Sequence, residues 1–206
     1  MKKIKVLIVD DHAIVRMGLA SILGTRKDIE VVGDAEDGAS AIRKTQKLAP
    51  DVVLMDIVMP EMDGATATAE ILRVRPDTKI LILTSFGTAD GIAHALDAGA
   101  AGALIKNVDY AELVDAIRAV ATGETVISPE ITKMLRESPP VPELTERQRD
   151  ILESMTRGLT DADIARQFGI SQNMAREHIT AIYQKIGAAN RAEAVAIALR
   201  KHLLKS

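Results

Sequence analysis

The chain has no cysteine among its 206 residues, which excludes disulfides and thiolate metal sites and fits a reducing cytosol. Long hydrophobic runs are missing as well: stretches such as IKVLIV over residues 4–9 fall far short of the roughly 20 residues that a bilayer span needs. Met1-Lys2-Lys3 leads straight into that short run and then into two aspartates, unlike a signal peptide. The expectation is a cytoplasmic protein with no membrane partner. Internal repeats and low-complexity tracts are absent too. With 47% hydrophobic and 27% charged residues, the composition supports a sizeable core.

The small net charge of −3 hides an asymmetry. Residues 1–128 hold 14 Lys and Arg against 19 Asp and Glu, whereas residues 144–206 hold 10 against 7. An acidic half suits a cation, and a modestly basic tail suits a polyanion.

What the first half does contain is a series of apolar runs that stop at particular polar residues. IKVLIV stops at Asp10 and Asp11, DVVLM at Asp56, KILIL at Thr84 and AGALI at Lys106. Short Val/Ile/Leu runs separated by helical patterns read as buried parallel strands with crossover helices. Strands are expected near 4–9, 29–34, 51–55, 79–83 and 102–105, and helices near 13–24, 38–48, 65–74, 88–98 and 109–121. This is an α/β fold with a doubly wound, five-stranded parallel sheet. Its ligands bind outside the carboxyl ends of the strands. Three carboxylates, a hydroxyl and an ammonium converge there.

Any one of these residues reads equally well as a solvated strand end; together they define a site. Crowded carboxylates call for a cation, and an all-oxygen ligand set suits Mg2+. With Asp10, Asp11 and Asp56 around the metal, Asp56 on the central strand is the best-placed nucleophile for a phosphoryl group, forming an acyl phosphate. Lys106 supplies a second cation, and Thr84 can hydrogen-bond a phosphoryl oxygen.

The segment RESPPVPE, from Arg136 to Glu143, reads as a stiff extended linker within residues 124–143, which separates a domain of residues 1–123 from one of residues 144–206. Only helical patterns follow it. Thr145 with Gln148 forms a capping box, Thr160 and Ser171 open the next two helices, and Asn190 with Glu193 opens the last. The span Thr160–Ile186 has helix-turn-helix spacing. Ala175, Ile179, Ile182 and Ile186 form its buried stripe. Asn173, Glu177, Thr180, Ala181 and Gln184 then point the opposite way, with Arg176 on the flank, toward a major groove of double-stranded DNA.

These motifs resemble known families. VDD at 9–11, LMDIVMPEMDG at 54–64, LTS at 83–85 and the lysine of GALIK look like the receiver domain of bacterial response regulators, which is flavodoxin-like with sheet order 2-1-3-4-5. ELTERQRDIL at 143–152, GLTDADIARQFGIS at 158–171, His178, Lys185 and Arg191 look like the LuxR-type DNA-binding domain. The combination resembles the NarL/FixJ-type response regulators over nearly the whole chain. The resemblance implies that Asp56 accepts phosphate from a sensor histidine kinase. It also implies that Asp10 and Asp11 hold Mg2+ with help from the Val58 backbone carbonyl, and that Thr84 and Lys106 contact phosphoryl oxygens. Phosphorylation would then control dimerisation and binding to paired half-sites, without making the protein an enzyme.

Some positions depart from these families. Receivers usually carry Tyr or Phe where Ala103 stands, and Phe86 is a candidate to fill the space. Val58 and Phe86 are apolar and cannot orient a hydrolytic water, so the phosphoryl group is expected to be long-lived. Met174-Ala175-Arg176 replaces a common Thr-Val-Lys, and Glu177 adds an acid. The operator should therefore differ from those of relatives with Lys. Arg166, Lys185 and Arg191 are assigned to phosphates, and His178 to packing or a phosphate. The last helix, with Ala192, Val195, Ala196, Leu199 and Leu203 on one face, is either a dimer contact or packed within its own domain. A Mg2+-dependent phosphatase is the rival from another class. It needs Asp-x-Asp on the first strand, where His12 stands two residues beyond Asp10. A receiver acting as a phosphate-independent dimerisation module is the other rival.

Overall fold

A computed structural model describes residues 3–85, 89–137, 144–200 and 203–204. The chain divides into two compact units, Met1–Pro140 and Val141–Ser206.

The first unit alternates strand and helix: β1 (Ile4–Val9), α1 (Ala13–Gly24), β2 (Ile29–Ala35), α2 (Gly38–Leu48), β3 (Val52–Met55), α3 (Gly64–Val74), β4 (Lys79–Thr84), α4 (Ala89–Asp97), β5 (Gly102–Ile105) and α5 (Tyr110–Ala121). The strands are all parallel, in the order β2-β1-β3-β4-β5 expected from the resemblance, with a further strand beyond β5. Side chains alternate across the sheet, so each strand feeds two cores. Leu7, Val9, Val53 and Met55 join Ala41, Ala67, Ile71 and Ile92 on one face, whereas Val6, Ile8, Val52 and Leu54 join Leu19, Leu23, Leu113 and Ile117 on the other. Each such fully buried Leu or Ile contributes about 1.5–3 kcal/mol. Carboxylates cap the helices: Asp37 accepts from the Ser40 amide at 2.6 Å, and Asp63 accepts from the Thr66 amide at 2.7 Å.

The five-strand expectation and the linker starting at residue 124 need correction. Val126–Ile127 form a sixth strand, β6, parallel to β5, and Pro129–Glu137 form a helix, α6. The reason is local. A Cβ at residue 102 would sit 2.2 Å from the Val126 carbonyl oxygen, so Gly102 is what lets the two backbones come together. Ile131 is fully buried, and Met134 and Leu135 pack partly buried against the same core. Ala103, Ile92 and Ala95 share that cluster, so aliphatic residues of α4 and α6 lie on the side where a receiver aromatic would project. Phe86 and residues 138–143, with the prolines of the expected linker, lie outside the described residues.

The second unit contains α7 (Glu146–Thr156), α8 (Asp161–Phe168), α9 (Gln172–Ile186) and α10 (Arg191–Arg200). The Thr145–Gln148 capping box is present, and a second one joins Thr160 to Asp163. Gly169 ends α8 at φ 63°, a left-handed turn that glycine adopts without cost, and Ser171 then caps α9. Ile151, Leu152, Ile164, Ala175, Ile179, Ile182, Ile186, Ala194 and Ile197 form the core. Among the described residues, no helix is long and apolar enough to cross a membrane.

Gly102→Ala should detach β6 and expose part of the α6 face, lowering stability by about 1–3 kcal/mol. Urea denaturation checks this, and an unchanged midpoint would show that the approach of β6 does not depend on the glycine.

Candidate functional site

Strand register carries the polar residues to one edge of the sheet. Val9 lies opposite Met55, Met55 opposite Ile82, and Thr84 opposite Ile105. Beyond the last pairs, the Asp56 amide donates to the Val9 carbonyl at 2.9 Å, and the Lys106 amide donates to the Thr84 carbonyl at 2.8 Å. Asp10, Asp56 and Thr84 are 1%, 5% and 1% exposed, so solvent does little to offset their polarity.

The ammonium of Lys106 stands between two carboxylates. Its Nζ lies 2.6 Å from Asp10 Oδ2 and 2.5 Å from Asp56 Oδ2. Burial pushes the Asp56 carboxyl above its ordinary range, and the hydrogen bond and charge of Lys106 offset this only in part. Burial also works against the charged Lys106, yet the hydrogen bonds and charges of Asp10 and Asp56 outweigh it and raise its pKa. One cation serving two buried carboxylates is itself well satisfied, while Asp56 is left short of positive charge.

Two further atoms point the same way. Among the described residues, Asp11 Oδ1 and Thr84 Oγ1 are buried without a hydrogen-bond partner. His12 Nδ1 is 2.7 Å from Asp11 Oδ1 without hydrogen-bond geometry, and 3.3 Å from Asp10 Oδ1. Asp10, Asp11, His12 and Asp56 each bring a ligand atom within 4.8 Å of the others. An orphaned carboxylate oxygen among close carboxylates fits a hard divalent cation such as Mg2+. The orphaned hydroxyl fits an incoming oxyanion.

The loop after β3 closes tightly over this edge. Gly64 donates to the Ile57 carbonyl at 2.9 Å, and a Cβ on it would stand 2.1 Å from the Asp56 carbonyl oxygen. Glu61 takes a left-handed φ of 64° in the same loop. Val58 is 61% exposed, with its amide 3.4 Å from Asp56 Oδ1. Sequence reasoning missed Arg16, whose Nη1 donates to the Asp10 carbonyl at 2.7 Å. An arginine one turn into an amphipathic helix carries no signal of such a contact.

In the second unit, Asn173, Arg176, Glu177, Thr180 and Gln184 are exposed on α9, and Ala181 and His178 are half-buried. Arg166 is exposed beside Asp163 at 3.2 Å. Two of the residues expected at phosphates also have internal partners. Arg191 donates to the Leu159 carbonyl at 2.8 Å and to Asp161 Oδ1 at 2.9 Å, tying the start of α10 to that of α8. Lys185 donates to Gln148 Oε1 at 3.1 Å. Asp161 also lies 3.6 Å from Arg176 Nε, a link between segments that no sequence pattern announces. On α10, Ala192, Ala196 and Leu199 are exposed, while Ala194, Ile197 and Ala198 face the core.

Because burial holds the Asp56 pKa above 3.8, the folded chain keeps that proton to higher pH than the unfolded chain does. The stability contribution of Asp56 therefore falls as pH rises from 3.8 through the folded pKa, and is constant above it. Without Mg2+, Asp56→Asn should be more stable than the parent, by a margin that grows as pH rises from 3.8 through the folded pKa of Asp56. Urea denaturation across that range measures it, and a variant less stable at neutral pH would contradict the balance of charges described here.

Residues 6–118 match the family model for the response regulator receiver domain, and residues 142–198 match that for bacterial regulatory proteins of the luxR family. The chain is 40% identical to the transcriptional regulatory protein LiaR of Bacillus subtilis, over 98% of this chain and 99% of that protein. It is 37% identical to the response regulator protein VraR of Staphylococcus aureus, over 98% and 99%. Among solved structures, the response regulator ChrA of a heme-sensing two-component system is 37% identical, with a TM-score of 0.59, over 99% of this chain and all (100%) of that one. With a receiver sheet carrying the acidic pocket and a helix-turn-helix unit later in the sequence, the chain belongs to the NarL/FixJ-type response regulators of two-component systems, which join a receiver domain to a LuxR-type DNA-binding domain.

Proposed function

We propose that Asp56 accepts a phosphoryl group from a sensor histidine kinase, and that this controls dimerisation and sequence-specific DNA binding. The observation that carries this reading is the Lys106 ammonium shared by the buried Asp10 and Asp56 carboxylates. A buried carboxylate with a raised pKa and a buried hydroxyl without a hydrogen-bond partner at the same sheet edge support a functional site there.

In the proposed transfer, an Asp56 carboxylate oxygen attacks phosphorus while the phosphorus–nitrogen bond of the donor phosphohistidine breaks. The leaving imidazole keeps the bonding pair and is neutralised by a proton. Mg2+, held by Asp10, Asp11, Asp56 and the Val58 carbonyl, would neutralise charge on the phosphoryl oxygens. Lys106 exchanges its contact with Asp56 Oδ2 for a phosphoryl oxygen, and the Thr84 hydroxyl donates to another. The exposed Val58 offers no hydrogen bond to an attacking water, which supports a slow loss of the acyl phosphate.

Asn173, Arg176, Glu177, Thr180 and Gln184 on α9 are assigned to the major groove. Arg176 suits a guanine edge or a phosphate, and the exposed Arg166 suits a phosphate. Lys185 and Arg191 would have to give up or share the internal partners described above to serve in the same way. A reading unit this small buries limited surface on DNA, which favours two copies on paired half-sites. The exposed α10 face of Ala192, Ala196 and Leu199 supports one such contact.

Intact mass after incubation with acetyl phosphate and Mg2+ should rise by one phosphoryl group per chain, and not at all in Asp56→Asn. The adduct should also outlast that of Val58→Asn. Equal uptake by Asp56→Asn would remove Asp56 from its role. For DNA, Arg176→Ala should weaken binding to the cognate site by about 1–3 kcal/mol and relax the base preference at one position. Titrations with and without beryllofluoride should differ, whereas identical affinities would leave the receiver as a phosphate-independent dimerisation module.

A further inference from the structure

Every acceptor atom of Asp10 has a donor of its own. Oδ1 accepts from the His12 amide at 2.8 Å, Oδ2 faces the Lys106 ammonium at 2.6 Å, and the backbone carbonyl accepts from Arg16 Nη1 at 2.7 Å. The third contact is built with care. Arg16 is only 14% exposed at its side chain, and its Nε donates to Asp34 Oδ2 at 2.8 Å. Asp34 lies near the end of β2, and its own carbonyl accepts from Lys44 of α2. A guanidinium thus spans the ends of two neighbouring strands, through Nη1 to Asp10 and Nε to Asp34.

We propose that Arg16 is a positioning residue of the acidic pocket. By pinning the Asp10 peptide, it fixes the direction in which the Asp10 carboxylate is presented to a divalent cation. This inference rests on the reading of the pocket as a Mg2+-dependent phosphoacceptor site.

Two effects of Arg16 on Mg2+ binding have opposite signs. As a charge, it repels the cation, so removing it would tighten binding. As an anchor, it holds a ligand in place, so removing it weakens binding. The Asp34 carboxylate, 2.8 Å from Arg16 Nε, offsets part of that charge, and we take the anchoring effect as the larger. Partners that orient metal ligands in this way typically change metal affinity by about tenfold or more when removed.

Calorimetric titration of the full chain with Mg2+ tests the proposal. Arg16→Gln should bind about tenfold more weakly, and Arg16→Lys should recover part of the loss through one bond to the Asp10 carbonyl. Asp34→Asn should show a smaller loss of the same sign. Saturating Mg2+ should restore the rate of phosphoryl uptake from acetyl phosphate in Arg16→Gln, a recovery that a merely destabilised fold would not show. Unchanged or tighter Mg2+ binding in folded Arg16→Gln overturns the proposal. Where that variant fails to fold, unchanged affinity in both Arg16→Lys and Asp34→Asn overturns it instead. A parent chain that binds no Mg2+ would overturn the reading of the pocket, whereas equal binding by parent and variants would overturn only the role of Arg16.

Discussion

The ammonium of Lys106 between Asp10 and Asp56 is the contact on which the receiver depends. Three strands must end at the same level for it to form, and the sheet register provides that level. Asp56 is under-compensated, since burial raises its pKa further than the Lys106 hydrogen bond and charge lower it. That deficit costs stability, and it leaves the pocket ready for further positive charge. The same imbalance that weakens the fold thus prepares the site.

Two backbone contacts set the geometry of the pocket. Gly64 closes the loop after β3 against the Asp56 peptide, and Arg16 anchors the Asp10 peptide from α1. Both act on backbone rather than on the carboxylates. In the second unit, the left-handed Gly169 and the Ser171 cap set the turn between α8 and α9. Arg191 ties α10 to α8 through Leu159 and Asp161, leaving the polar face of α9 exposed.

Much of this was legible in the sequence, because buried strands are apolar runs and their ends are where the run breaks. Asp10, Asp56, Thr84 and Lys106 could be placed at one edge for that reason alone. The helices of the second unit were legible from their caps and from the Ala175-Ile179-Ile182-Ile186 stripe. β6 was not, since two residues are too few to show alternation. The signals were Gly102 inside a strand, marking close backbone approach, and Ser128-Pro129, a cap followed by a proline suited to the first helical position. The internal partners of Arg191 and Lys185 were out of reach, because sequence shows the charge of a side chain but not the distant carbonyl or amide it will meet.

The short β6 has a bearing on solubility. A parallel sheet ending at β5 would offer an open rim of unpaired amides and carbonyls to strands of other molecules. With Val126 and Ile127 in place, the strand leading to Lys106 lies inside the sheet, and the new rim is only two residues long before Pro129 interrupts it. A template that brief gives a foreign chain little to register against, so the receiver is guarded along this margin against edge-to-edge aggregation.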